Sequence, residues 1–256
     1  MADRKPFIAG NWKMHHTHLE AIQVVQKLSY RLDQHDFDDV DIVVCPPFTA
    51  LRSVQTTLEG DRIPIALGAQ NCHFEPEGAF TGEISAPMLA KLHVQYVIVG
   101  HSERRQLMGE TDDIVTKKLR AVLAAGMSPI LCVGETLDER EAAQTDEIVT
   151  GQIRAAFANL PADAAVRCVV AYEPIWAIGT GRNATPDDAN TTVGVIRSVI
   201  RDLIDRSADE IRLLYGGSMK PGNAADLMAM PEIDGGLVGG ASLEPDEFAR
   251  VIRYGR

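Results

Sequence analysis

Several features are scarce in this 256-residue chain, and each scarcity excludes something. Four cysteines, Cys45, Cys72, Cys132 and Cys168, contain no CxxC pair and are too few for a disulfide framework. Three of them lie in apolar, strand-like runs, where a buried reduced thiol is expected. Nowhere do 18 apolar residues follow one another, and the opening MADRKPFIAGNWK lacks the apolar stretch of a signal peptide. A soluble cytoplasmic protein is expected, without a membrane partner. Basic residues are outnumbered, 25 against 36 acidic, giving a net charge of -11 and a pI near 5.1. A general nucleic-acid binder needs a basic surface, so that class is disfavoured, and any anionic substrate needs a local site. Metal-ligand spacing is also missing: HHTH at 15–18 clusters imidazoles without a carboxylate or thiol nearby and reads as a helix-start surface group.

What is present is a regular alternation. With 45% hydrophobic and 24% charged residues the chain can bury a sizeable core. Eight short apolar runs, at 6–12, 40–45, 63–69, 96–100, 128–134, 167–173, 211–217 and 233–240, read as strands buried on both faces of a parallel sheet. Amphipathic segments between them predict helices over Thr17 to Arg31, Asp112 to Ala125, Asp138 to Phe157, Asp188 to Arg206 and Asp246 to Tyr254. TDD at 111–113 and TPDD at 185–188 supply start signals. The acidic stretch 33–41 is expected to be a solvated connection. Strand and helix alternate eight times with no linker, so the fold class is α/β, a single (β/α)8 barrel forming one catalytic domain over 1–256.

Active sites of such barrels lie at the C-terminal ends of the strands. There the first strand delivers Asn11 and Lys13, the fourth His101 and the sixth Glu173. Singly, each has an ordinary explanation; together an amide, a cation, an imidazole and a carboxylate converge on one mouth. Glycine-rich loops at 177–181, 215–218 and 238–242 resemble a phosphate cradle built from backbone N–H groups. Their bland alternative is simple tight turns. GTGRNA at 179–184 fits a dinucleotide fingerprint only superficially, because its first glycine lies beyond the strand end and no second strand with a terminal acid follows at the right distance.

Taken in order, GNWKM at 10–14, AQN at 69–71, GAFTGE at 78–83, VIVGHSERR at 97–105, CVGET at 132–136, AYEPIWAIGTG at 171–181, YGGS at 215–218 and GLVGGAS at 236–242 resemble the triosephosphate isomerase family over nearly the whole chain. The resemblance implies an aldose–ketose isomerase of glycolysis and gluconeogenesis, acting on a small phosphorylated triose without cofactor or metal. It assigns Glu173 as the base, His101 as the electrophile, Lys13 as the electrostatic stabiliser and Asn11 as a neighbour of the substrate. Gly179, Ser218, Gly239 and Gly240 would meet the phosphate. Pro174 to Ala184 resembles the family's closing lid, with Arg182 and Asn183 departing from its commonest pattern. Through the loop 70–83, with Thr81 close to the other chain's site, the resemblance implies a homodimer. Two other readings are another phosphosugar-binding barrel enzyme with a different base, and a non-catalytic barrel scaffold.

Overall fold

The computed structural model describes residues 4–177 and 184–255. Eight strands, β1 (Phe7–Asn11), β2 (Asp41–Cys45), β3 (Ala66–Ala69), β4 (Tyr96–Val99), β5 (Ser128–Val133), β6 (Val169–Tyr172), β7 (Arg212–Tyr215) and β8 (Gly235–Val238), pair in parallel in chain order and close β8 onto β1. Each falls inside one of the apolar runs. Alternation within them separates two cores. Phe7, Ala9, Val43, Cys45, Ile98, Ile130, Cys132, Val169, Ala171, Leu214 and Leu237 fill the barrel, while Ile8, Ile42, Val44, Val97, Val99, Leu131, Val133, Val170 and Leu213 face the helices. Burial on both faces is why the runs are continuously apolar. At the closing seam a Cβ on Gly235 would sit 1.9 Å from the carbonyl oxygen of Phe7, so only glycine permits that approach.

The outer layer contains α1 (His18–Arg31), α2 (Gln34–Asp39), α3 (Phe48–Gly60), α4 (Ala86–Ala90), α5 (Ser102–Met108), α6 (Asp112–Ala124), α7 (Leu137–Glu141), α8 (Thr145–Phe157), α9 (Ala162–Ala165), α10 (Pro186–Ile204), α11 (Pro221–Met228) and α12 (Pro245–Ile252). Thr17 closes a capping box with Glu20 at the start of α1, which places the histidine cluster at a helix start. Thr185 caps α10, with Pro186 in its first turn. All four cysteines are buried and free. Among the described residues, no helix is long and apolar enough to cross a membrane.

Two expectations need correction. Asp138 to Phe157 is not one helix: α7 and α8 are separated at Ala143, which takes φ 58. The inward stripe of Val149, Ile153, Ala156 and Phe157 has no counterpart on α7, where nothing is buried. Packing therefore gives no reason for the helix to continue straight. The acidic stretch 33–41 is not a solvated connection. Asp33 caps α2, and Asp36, 2% exposed, accepts hydrogen bonds from Arg253 Nε and Nη2, the latter at 2.6 Å. A carboxylate can be buried there because a guanidinium at the end of α12 meets it.

Candidate active site

β1 ends at Asn11, and two residues later Lys13 takes a left-handed φ of 53, a strained conformation for a side-chain-bearing residue. Its neighbours fix it. Asn11 Oδ1 accepts from the Lys13 N–H at 3.1 Å, and Gln70 Nε2 donates to the carbonyls of Lys13 and Cys45 at 2.8 and 2.9 Å. The ammonium of Lys13 pairs with Glu103.

After β4, Gly100 turns the chain with φ 70, bringing His101 to the N-cap of α5. A Cβ at Gly100 would lie 2.8 Å from Val115 Cγ1. Nδ1 of His101 accepts the Glu103 N–H at 3.2 Å, and Nε2 lies 3.0 Å from Glu173 Oε1. Burial opposes protonation of His101, but the charge and hydrogen bond of Glu173 outweigh it and raise the pKa. The Glu103 N–H pulls the other way, since it needs a lone pair on Nδ1. A neutral ring with its proton on Nε2 satisfies both hydrogen bonds.

Glu173 follows β6 and is 2% exposed. Its second oxygen, Oε2, accepts the Ser102 N–H at 2.8 Å. Burial alone would raise its pKa; His101, the Ser102 N–H and Lys13 together hold it below the usual carboxylate range. The backbone around it is crowded. A Cβ on Gly134 would lie 1.8 Å from the Glu173 carbonyl oxygen, and one on Gly216 would lie 2.8 Å from Glu173 Cγ.

These side chains open onto a cavity of about 360 Å³, whose other wall is Gly216 to Lys220, Leu237 and Gly239 to Ala241. Ser218, Gly239 and Gly240 all line it. A 3-10 turn, Gly240–Leu243, begins there, and the first N–H groups of such a turn have no acceptor within it. A Cβ on Gly239 would come 3.6 Å from Lys13 Cε, so this wall lies against the lysine stem. The cavity thus has a glycine-rich wall that also carries Lys220, the Lys13 ammonium at its side, and a carboxylate–imidazole pair across from it. Asn11, Lys13, His101, Glu173, Ser218, Gly239 and Gly240 come together as expected, while Gly179 lies outside the described residues.

The sequence alone assigned no role to Gln70, Ser102, Glu103 or Gly134, and it placed Gly216 only in the phosphate cradle, not against the stem of Glu173. Glu103 could have been flagged by its place two residues after His101, and the others are recognisable only once strands are neighbours. Among the described residues no group of three or more His, Cys, Asp or Glu side chains could hold a metal ion.

A parallel barrel carrying a buried carboxylate–imidazole pair and a glycine-lined wall at the strand C-termini has the architecture of a (β/α)8-barrel enzyme. Comparison narrows this. The family model described as Triosephosphate isomerase matches residues 6–255. The chain is 51% identical over 255 residues to the triosephosphate isomerase of Streptomyces coelicolor, covering 99% of both chains. It is 51% identical over 251 residues to that of Carboxydothermus hydrogenoformans and 52% over 252 to that of Roseiflexus sp., with 98% of both chains covered each time. The chain belongs to the triosephosphate isomerase family.

Proposed function

We propose that this protein interconverts dihydroxyacetone phosphate and D-glyceraldehyde 3-phosphate, as one catalytic domain acting in glycolysis and gluconeogenesis. The observation that carries the reading is the contact between Glu173 and His101, 3.0 Å apart, facing Lys13 and the glycine wall across one cavity. Isomerisation needs a base that removes a proton from one carbon and returns it to the next, and donors that meet the charge on oxygen in between. Glu173 is the base: it takes a proton from C1 of the ketose, the C1–H electron pair becomes the C1=C2 bond and the carbonyl pair moves onto O2; Glu173 then gives a proton to C2 while the hydroxyl proton of O1 passes to O2, which re-forms the carbonyl at C1. His101, through Nε2–H, and Lys13 face the developing oxyanion, with Asn11 holding the Lys13 backbone. Ser218, Gly239, Gly240 and Gly179 receive the phosphate.

The resting contacts give the base a built-in adjustment. Both Glu173 oxygens are engaged, one by His101 and one by Ser102, so the carboxylate must release them to reach a substrate carbon. Release removes the influences that hold its pKa down and leaves burial, which raises it. The base therefore strengthens where it works. A coupled assay with glyceraldehyde 3-phosphate tests the reading; well-folded protein without turnover would exclude it.

The same reading includes a homodimer through the loop 70–83 and a cytoplasmic location. Support for the dimer is apolar exposure beside the site. Met14 is 94% exposed and Phe80 43%, and a second cavity of about 220 Å³ next to Lys13 and Glu103 is lined by Met14, Phe48, Leu107 and Met108. A partner loop there would hold the strained Lys13 backbone, coupling association to rate. Met14→Glu is expected to give a monomer in sedimentation, with turnover at least about tenfold lower. A fully active monomer would separate the two, and an unchanged dimer would move the interface elsewhere.

A further inference from the structure

Arg140, on α7, stands outside the cavity, yet its guanidinium meets three separate pieces of chain. Its central carbon lies 4.4 Å from the centroid of the Trp176 ring. Nη1 is 3.4 Å from Glu135 Oε1, and Nη2 is 3.6 Å from Asp188 Oδ1. Glu135 follows β5, Trp176 follows β6 and Asp188 is in the first turn of α10.

Glu135 explains why this matters. Its side chain is fully buried, and Oε1 also accepts from the Tyr172 hydroxyl at 3.0 Å and the Trp176 indole N–H at 2.9 Å. Its backbone carbonyl accepts from the Ile175 N–H at 3.2 Å. Residues 172, 175 and 176 bracket Glu173, so one buried carboxylate ties the chain down on both sides of the base. Among the described residues Arg140 is the only cation ion-paired with Glu135. Removing it would leave a buried anion held by neutral donors alone.

We propose that Arg140 is a positioning residue for Glu173: by pairing with Glu135 and Asp188 and covering the Trp176 indole, it fixes the two ends of the β6–α10 connection and the carboxylate that starts it. This rests on Glu173 being the base. Arg140 acts through Glu135 and Trp176 and does not touch the substrate cavity. Its three contacts use planarity as well as charge, because a flat guanidinium can lie on an indole while its edge reaches carboxylates on either side. Lysine keeps the charge and loses that geometry.

The test is Arg140→Lys in the otherwise unchanged protein, with kcat, KM, melting temperature and tryptophan emission measured together. Misplacing a base by a fraction of an ångström acts on the chemical step, so kcat is expected to fall at least about fivefold with KM changed less than about twofold. The only other tryptophan, Trp12, is fully buried in the core, so altered emission and easier quenching report Trp176. A wild-type kcat in folded Arg140→Lys overturns the proposal, as does a loss that only tracks the unfolded fraction. Should Arg140→Lys fail to fold, Asp188→Asn removes one of the three contacts and must lower kcat about twofold without changing KM; an unchanged kcat there overturns it equally. Glu173→Gln, assayed alongside, separates the two levels: if it retains turnover, the underlying reading has failed and Arg140 has no base to position.

Discussion

The two ends of the barrel use their charged groups differently. At the N-terminal end, Asp234 accepts from Arg4 Nε at 2.7 Å, from Arg197 Nη2 at 2.7 Å and from the Leu213 N–H at 2.8 Å, so both its oxygens are committed and one is shared. Asp41 there pairs with Lys5 and Arg212. At the C-terminal mouth, Glu173 meets the Ser102 N–H through one oxygen and His101 through the other, with no guanidinium or ammonium hydrogen-bonded to it among the described residues, and Lys13 sits on strained backbone. Saturated charge resists change, and thinly partnered charge can be exchanged for a substrate. Asp234 is thus fitted to hold the fold together and Glu173 to exchange its partners for a substrate.

The sharpest way to break this contrast is to replace the base. Glu173→Gln keeps the shape and one acceptor but cannot take a proton. Turnover should fall by roughly 10²–10⁴-fold or more, while stability changes by less than about 1 kcal/mol. Retention of more than about a tenth of wild-type turnover would remove Glu173 from its role. At the opposite end the pattern should invert. Asp234→Ala leaves Arg197 and Arg4 without their shared carboxylate and is expected to cost about 3–5 kcal/mol in denaturant unfolding, with kcat per folded molecule unaltered. A loss of kcat without a loss of stability would show that the ends are not independent.

Titration gives a smaller and subtler effect. Burial raises the pKa of Glu110, but Lys118 and Arg104, which share its Oε1, outweigh that and lower it. A carboxylate lowered on folding contributes stability that is present above its unfolded value, near ~4.3, and is lost as the pH falls through the folded value. Glu173 is lowered in the same sense. The acid limb of kcat/KM for the free enzyme should therefore lie below the ordinary carboxylate range, and acid unfolding should set in there too. Glu110→Gln would move only the unfolding limb. A shift of the kcat/KM limb in that variant would tie Glu110 to the chemistry.

Much of the barrel was legible because strands buried on both faces must be apolar at every position, and Ile8 and Ala9, facing opposite cores, are equally so. The converging side chains were legible because strand ends are where a barrel works. What escaped depended on partners far away in the chain. The sequence at 33–41 looks like solvated acid until Arg253, 217 residues from Asp36, is brought against it. Glu135 lay inside a recognised motif but gained a role only from Tyr172, Trp176 and Arg140. Gly134 stood as the end of an apolar run, although its lack of a side chain makes room for the backbone of Glu173.

The seam between β1 and β8 carries a consequence for how the chain acquires its shape. Phe7 is in register with Gly235, and Arg4 bonds Asp234 across 230 residues, so the first strand cannot find its second neighbour until Gly235 and the residues after it have been made. Until then β1 and the latest completed strand are open sheet edges, able to accept a strand from another molecule. Closure of so non-local a contact is entropically slow, and it is the step at which a nascent chain is most exposed to aggregation. A chain ending before Gly235 would keep both edges for good, which makes β8 the part that converts a sticky open sheet into a barrel with no edge at all.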